Sequence, residues 1–257
     1  MNPFNVTILG CGSALPTERH YCSSQVVNHH GNLFMVDCGE GAHYQFQRNH
    51  LHESKLNHIF ISHLHADHCL GLTGVLVAYA LKRRTADLHV YAPAEFEGML
   101  YRQFEFYASN ATYRLVFHPI EGSQTTTLYE DGHLSVQAFP LEHKVPCYGF
   151  LFQADGHGYA YCSDTKRIAP PTEALYGVDL LYHEATYADS EANLAATMYH
   201  ATARHAAQFA REIQAKKLII GHPSSRYRDE SILLKEAHEV FPNTILAEEN
   251  LCVAVGG

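Results

Sequence analysis

An apolar run at residues 59–62 empties directly into His63-Leu-His65-Ala-Asp67-His68, which sets four ligand-type residues in six positions. Residues two apart in an extended segment face the same way, so His63 and His65 can converge on one ion. A turn then brings Asp67 and His68 to address a second. Imidazole nitrogen and carboxylate oxygen suit zinc at about 2.0–2.2 Å and leave manganese or iron open. A dinuclear centre needs more donors than one loop holds. His143, Asp164 and His222 each close a short apolar run, and one carboxylate between two ions would offset part of their charge. Ser224, Ser225 and Arg226 follow His222 directly; hydroxyls and a guanidinium are phosphate donors.

The elements that must position these groups are short. Apolar, β-branched or aromatic runs bounded by Gly, Pro, Asn or Asp read as strands. They fall at 6–9, 24–28, 33–36, 59–62, 88–91, 115–118, 134–139, 148–152, 159–162, 180–183, 218–220, 244–247 and 251–255. Apolar residues at three- and four-residue intervals predict helices over 41–50, 71–84, 94–108, 202–215 and 229–240, the last capped by Asp229. Strands outnumber helices, which points to a layered α/β protein. No linker, charge block or repeat divides the chain, so one domain over 1–257 is expected.

Composition narrows the function classes. The 257 residues are 46% hydrophobic and 18% charged, a globular balance. No apolar stretch approaches the ~20 residues that span a bilayer, and with no charged start followed by an apolar run, no signal peptide is expected. Seven cysteines without a Cys-x-x-Cys pair fit a reducing cytoplasm better than a disulfide framework. The formal charge of −9 argues mildly against coating nucleic acid. Lys82-Arg83-Arg84 is the basic cluster, at the end of a predicted helix where cations suit the helix dipole. No Gly-x-Ser-x-Gly elbow, P-loop or dinucleotide fingerprint is present.

The segment from His63 to His68, followed by Cys-Leu-Gly71, resembles the signature of the metallo-β-lactamase superfamily. Further segments resemble its ribonuclease Z branch, the endonucleases that trim the 3′ trailer of precursor tRNA. These are residues 9–17, residues 36–41, Ser163-Asp164-Thr165, His183-Glu184-Ala185-Thr186 and His222-Pro-Ser-Ser-Arg226-Tyr227. The resemblance implies a four-layer αβ/βα sandwich, two mixed sheets flanked by helices. It assigns one divalent ion, zinc foremost, to His63, His65, His143 and Asp164. A second goes to Asp67, His68, His222 and the same Asp164. Asp67 would orient and deprotonate a metal-bound water to give the attacking hydroxide, while Glu184 and His200 would form the proton donor for the leaving oxygen. His183, on the alternate strand face from Glu184, is expected to serve packing. A cytoplasmic homodimer acting on precursor tRNA is implied as well.

One departure bears on substrate. Between His143 and Asp164 the family carries a protruding tRNA-gripping arm; here the two strand runs leave only a five-residue loop, 154–158. Pro223 also stands where the family more often has Phe. Two alternatives therefore stay open beside tRNA processing: an arm-less hydrolase of small, cyclic phosphodiesters, and a catalytically silent metal-binding protein. The retained Glu184 and His200 count against the second.

Overall fold

The computed structural model describes residues 4–166 and 173–256. Its strands are β1 (Phe4–Gly10), β2 (Ser24–His29), β3 (Asn32–Cys38), β4 (Leu56–Phe60), β5 (Leu88–Pro93), β6 (Leu115–Ile120), β7 (Thr126–Glu130), β8 (Leu134–Pro140), β9 (Tyr148–Ala154), β10 (His157–Cys162), β11 (Leu180–Glu184), β12 (Lys217–Gly221), β13 (Thr244–Leu246) and β14 (Cys252–Ala254). The helices are α1 (Ala42–Arg48), α2 (Ala66–Cys69), α3 (Leu72–Leu81), α4 (Glu97–Tyr107), α5 (Ala192–Met198), α6 (Ala203–Glu212) and α7 (Ser231–His238). One seven-stranded sheet runs β14-β1-β2-β3-β4-β5-β6, and the other β13-β12-β11-β10-β9-β8-β7. Both are mixed: β3 to β6 and β10 to β13 pair parallel, the remainder antiparallel.

Alternation along the strands divides the core. On β3, Phe34 and Val36 enter an aromatic layer between the sheets with Phe60, Phe150, Phe152, Tyr159 and Tyr182. Their neighbours Leu33 and Met35 face the other way, onto α1, α3 and α4. On the second sheet Leu181, Leu218 and Ile220 meet the alanine-rich face of α6 together with α7. Helix, sheet, sheet, helix is the resulting order, as the resemblance implied.

Three differences from the sequence reading have local causes. Strand β7, Thr-Thr-Leu-Tyr-Glu, is a half-exposed edge whose polar residues hide its period. The short α5 lies where no strong three-four pattern exists. The expected loop over 154–158 is tighter still: Asp155 and Gly156, at φ of 55° and 77°, form the whole turn, and Ala154, His157 and Gly158 pair within the strands. Asp155 accepts hydrogen bonds from His29 and His30 at 3.1 Å each, tying the turn to the β2–β3 hairpin.

Gly71 fixes how α3 starts. Its N–H donates to Cys38 O at 2.8 Å, and a Cβ there would stand 2.0 Å from Gly39 O. Backbone cannot yield as a side-chain tip can. Gly71→Ala is expected to cost about 1–3 kcal/mol of stability, read as a lower urea midpoint at unchanged slope.

Candidate metal centre

Five strand ends deliver the site. β4 runs out through Ser62 to His63, β8 to His143, β10 to Asp164, β12 to His222, and β11 ends on Glu184. Because β8, β10, β11 and β12 point the same way, their carboxyl ends share one edge, which meets that of β4 from the other sheet. The turn foreseen after His65 is the single helical turn α2, which carries Asp67 and His68.

All seven predicted ligands come together. His63 Nε2 lies 3.1 Å and His143 Nε2 3.2 Å from His65 Nδ1, and Asp164 Oδ2 is 3.5 Å from His63. In the second group His68 Nε2 and Asp67 Oδ2 each stand 3.3 Å or 3.5 Å from their neighbours: His222 Nε2 is 3.3 Å from both, and Asp67 is 3.5 Å from His68. Asp164 Oδ1 completes it, 3.5 Å from His68 and 3.3 Å from His222. Two donors bound tetrahedrally at about 2.0–2.1 Å stand some 3.3–3.4 Å apart, so these spacings suit ligands around ions.

The tautomers make the same point. His68 Nδ1 donates to Asp37 at 2.7 Å, His222 Nδ1 to Thr186 Oγ1 at 2.9 Å, His143 Nδ1 to Tyr199 O at 3.0 Å and His63 Nδ1 to Ser62 Oγ at 3.0 Å. Each Nε2 then turns a lone pair inward, where lone pairs face one another without protons between them. Asp164 Oδ1 is buried with no hydrogen-bond partner. Both are ordinary if cations sit among them, so the residues fit two divalent ions.

Beside this cluster stands the expected proton-donor pair. Glu184 is fully buried; Oε1 accepts from Ala201 N–H at 2.8 Å, Thr165 N–H at 3.1 Å and His200 Nδ1 at 3.1 Å, and Oε2 from the Thr186 amide and hydroxyl at 2.9 and 2.8 Å. Burial works to raise this carboxyl, but the His200 charge outweighs it and holds the group below its ordinary range. Burial likewise works to lower His200, and Glu184 wins again, taking the imidazole up to about 9. His200 Nδ1 is 4.0 Å from Asp164 Oδ2. Thr186 Oγ1 donates to Glu184 and accepts from His222, linking the pair to the cluster. His183 faces away, its ring 5.5 Å from Phe209.

The phosphate-donor segment is partly committed. Arg226 pairs with Glu191, donates to Ser224 Oγ at 3.1 Å and lies 5.0 Å from the Tyr187 ring, half-exposed; Ser225 is exposed. The basic cluster is more so. Lys82 pairs with Glu53 at 2.7 Å, and Arg84 donates to the Glu53, Ala86 and Asp87 carbonyls.

Sequence reasoning named the candidate ligands and missed their supports. Asp37 accepts from Ser62 N–H, Ser62 Oγ–H, His68 Nδ1 and Tyr161 Oη–H within 2.9 Å. Asp37, Tyr199 and His222 all take positive φ, 55°, 61° and 62°, a conformation that non-glycine residues keep where surrounding contacts hold it. An aspartate ending the apolar run of β3 was the available signal.

Fold and site together define a metallo-β-lactamase-type hydrolase domain, and the beta-lactamase superfamily domain matches residues 32–222. The chain belongs to the ribonuclease Z family. It is 44% identical to Ribonuclease Z of Bacteroides fragilis, covering 99% of this chain and all of that one, and 41% identical to Ribonuclease Z of Bacteroides thetaiotaomicron, covering 99% and 96%. The Bacteroides fragilis alignment runs over 304 positions against 257 residues here, so the relative carries a stretch without counterpart. Among solved structures, human tRNase Z, short form, superposes with a TM-score of 0.86 at 27% identity, covering 98% of this chain and all of that one.

Asp37→Asn is expected to weaken metal binding by about 10–100-fold, since the amide turns one acceptor into a donor facing donors. Competition against a chromophoric chelator measures it.

Proposed function

We propose that this protein is a ribonuclease Z, a metal-dependent endoribonuclease that removes the 3′ trailer from precursor tRNA. The observation that carries this reading is the Glu184–His200 pair at the edge of the shared carboxylate Asp164. A centre kept for structure alone has no use for a proton donor. Near-full-length identity to ribonuclease Z relatives adds the substrate class.

In this reading His63, His65, His143 and Asp164 hold one divalent ion, and Asp67, His68, His222 and Asp164 the other. When bound, such ions supply Lewis acidity toward the phosphate oxygens and an acidified water. Zinc is our choice, from the nitrogen and oxygen donor set. Asp67, its Oδ2 held by the Ala14 amide at 2.7 Å, orients the attacking water and takes its proton. His200, with Nδ1 fixed on Glu184, presents Nε2–H to the departing oxygen. Glu184 keeps that ring charged and aimed. Ser224, Ser225 and Arg226 meet the phosphate, Arg226 by exchanging its surface partner Glu191.

We further infer a cytoplasmic homodimer. Seven free cysteines fit a reducing compartment, and no described helix is long and apolar enough to cross a membrane. Exposed Phe106 and Tyr107 on α4 offer apolar surface to a second copy. A second reading, hydrolysis of small cyclic phosphodiesters, draws on the two-residue turn at Asp155–Gly156, which leaves no arm for a large RNA.

Precursor tRNA with a 3′ trailer, incubated with the purified zinc or manganese protein, separates the two. One cut just after the discriminator base at catalytic enzyme concentration is expected. No cut, alongside brisk hydrolysis of bis(p-nitrophenyl) phosphate, would discard tRNA and keep the chemistry. His65→Ala is expected to lose metal and activity together; full activity in that variant would overturn the assignment. His200→Ala should keep both metals by elemental analysis yet slow trailer cleavage about 10²–10⁴-fold, with much less effect on the activated aryl ester. Equal slowing on both would remove His200 from the acid role.

A further inference from the structure

The loop over residues 11–22 carries a second group of ligand-type side chains, distinct from the histidine–aspartate cluster in containing sulfur. Cys11 Sγ lies 3.3 Å from His20 Nδ1 and 3.9 Å from Glu249 Oε1. His20 Nδ1 in turn lies 3.0 and 3.3 Å from the two Glu249 oxygens. On the other side of the ring, Nε2 is 3.0 Å from Glu230 Oε1, which also accepts from Arg19 at 3.0 Å. Cys11 is buried, and the side chains of His20, Glu230 and Glu249 are only 13%, 11% and 12% exposed.

We propose that Cys11 Sγ, His20 Nδ1 and a Glu249 carboxylate oxygen form a separate structural site for a divalent ion of the zinc class. Bonds of about 2.3 Å to sulfur and 2.0–2.1 Å to nitrogen or oxygen, at tetrahedral angles, set donors some 3.3–3.6 Å apart. With Glu249 Oε1 as the oxygen the separations are 3.3, 3.3 and 3.9 Å, two within that range and the sulfur-to-oxygen one 0.3 Å beyond it. Glu230 supplies the carboxylate that a metal-bound imidazole ordinarily has behind it; by taking Nε2–H it leaves the Nδ1 lone pair for the ion. Binding exchanges the thiol proton and one ring proton for a double charge, so the net charge of the pocket is unchanged.

The site joins parts far apart in sequence, residues 11, 20 and 249, and sits under a loop that touches the catalytic cluster. Cys11 O accepts from His222 N–H at 2.8 Å, Gly12 N–H donates to Tyr21 O at 2.8 Å, and Ala14 N–H donates to Asp67. An ion held by both ends of the loop would fix the amide that Asp67 uses.

The competing occupant is a pair of protons, with the thiol donating to Ala247 O at 3.4 Å. Cobalt distinguishes them. The full chain is loaded with cobalt, freed of excess, and examined by elemental analysis and absorption. The cluster around Asp164 offers nitrogen and oxygen only, so it cannot give a sulfur-to-cobalt charge-transfer band in the near ultraviolet. The expected result is such a band and one more cobalt per chain than in Cys11→Ser and in His20→Gln, both of which lose the band and keep the visible d–d absorption. Should Cys11→Ser fail to fold, His20→Gln and Glu249→Gln decide. Loaded protein without the band, equal stoichiometry in the variants, or a band that survives them overturns the proposal.

Discussion

A buried carboxylate with too few partners governs this molecule. Asp164 is 2% exposed, and one of its oxygens has no hydrogen bond. A charge taken out of water at such a place costs several kcal/mol unless positive charge surrounds it. The chain answers by ending strands of two sheets around it, His63 and His68 from beyond β4, His222 from β12 and His143 from β8, whose inward lone pairs leave room for cations beside the carboxylate. The sandwich can be understood as the scaffold that makes these ends coincide, because no single loop could encircle one carboxylate with four imidazoles.

The rings are aimed by what lies behind them. Each of His63, His68, His143 and His222 is held at Nδ1 by a different kind of acceptor: a serine hydroxyl, a carboxylate, a backbone carbonyl and a threonine hydroxyl. Two of these acceptors have further duties. The Thr186 hydroxyl donates a hydrogen bond to Glu184, and Tyr199, whose carbonyl holds His143, is the residue before His200. The outer shell of the candidate metal centre and the Glu184–His200 pair are thus one hydrogen-bonded body. A change in either is felt by the other through a single covalent step or a single hydroxyl.

What could be read in advance was what one segment contains. Four ligand-type residues in His63 to His68 announce themselves, and His143, Asp164 and His222 were legible as candidates because each follows an apolar run. Asp37 stood in the family-like segment 36–41, but its role was not legible, since it is set by Tyr161 and His68 arriving from elsewhere in the chain. The same limit hid the cost of Arg226, whose partner Glu191 lies 35 positions away. Eleven of the strands showed by pattern because they bury at least one face. The edge strand β7 buries little, and the short β13 and β14 showed only approximately. Lys82 and Arg84 read as a basic patch because sequence displays charge without its counter-charge.

The Asp155–Gly156 turn has a consequence for how this enzyme could change. It closes the end of β9 and β10 opposite the candidate metal centre, a full strand length from Asp164, and its outward face is solvent. Chain added there alters no ligand, no tautomer and no proton path. Reach and chemistry are therefore separable inheritances in this architecture. Chain length at that tip can vary across a lineage while the edge that holds the candidate site is copied unaltered.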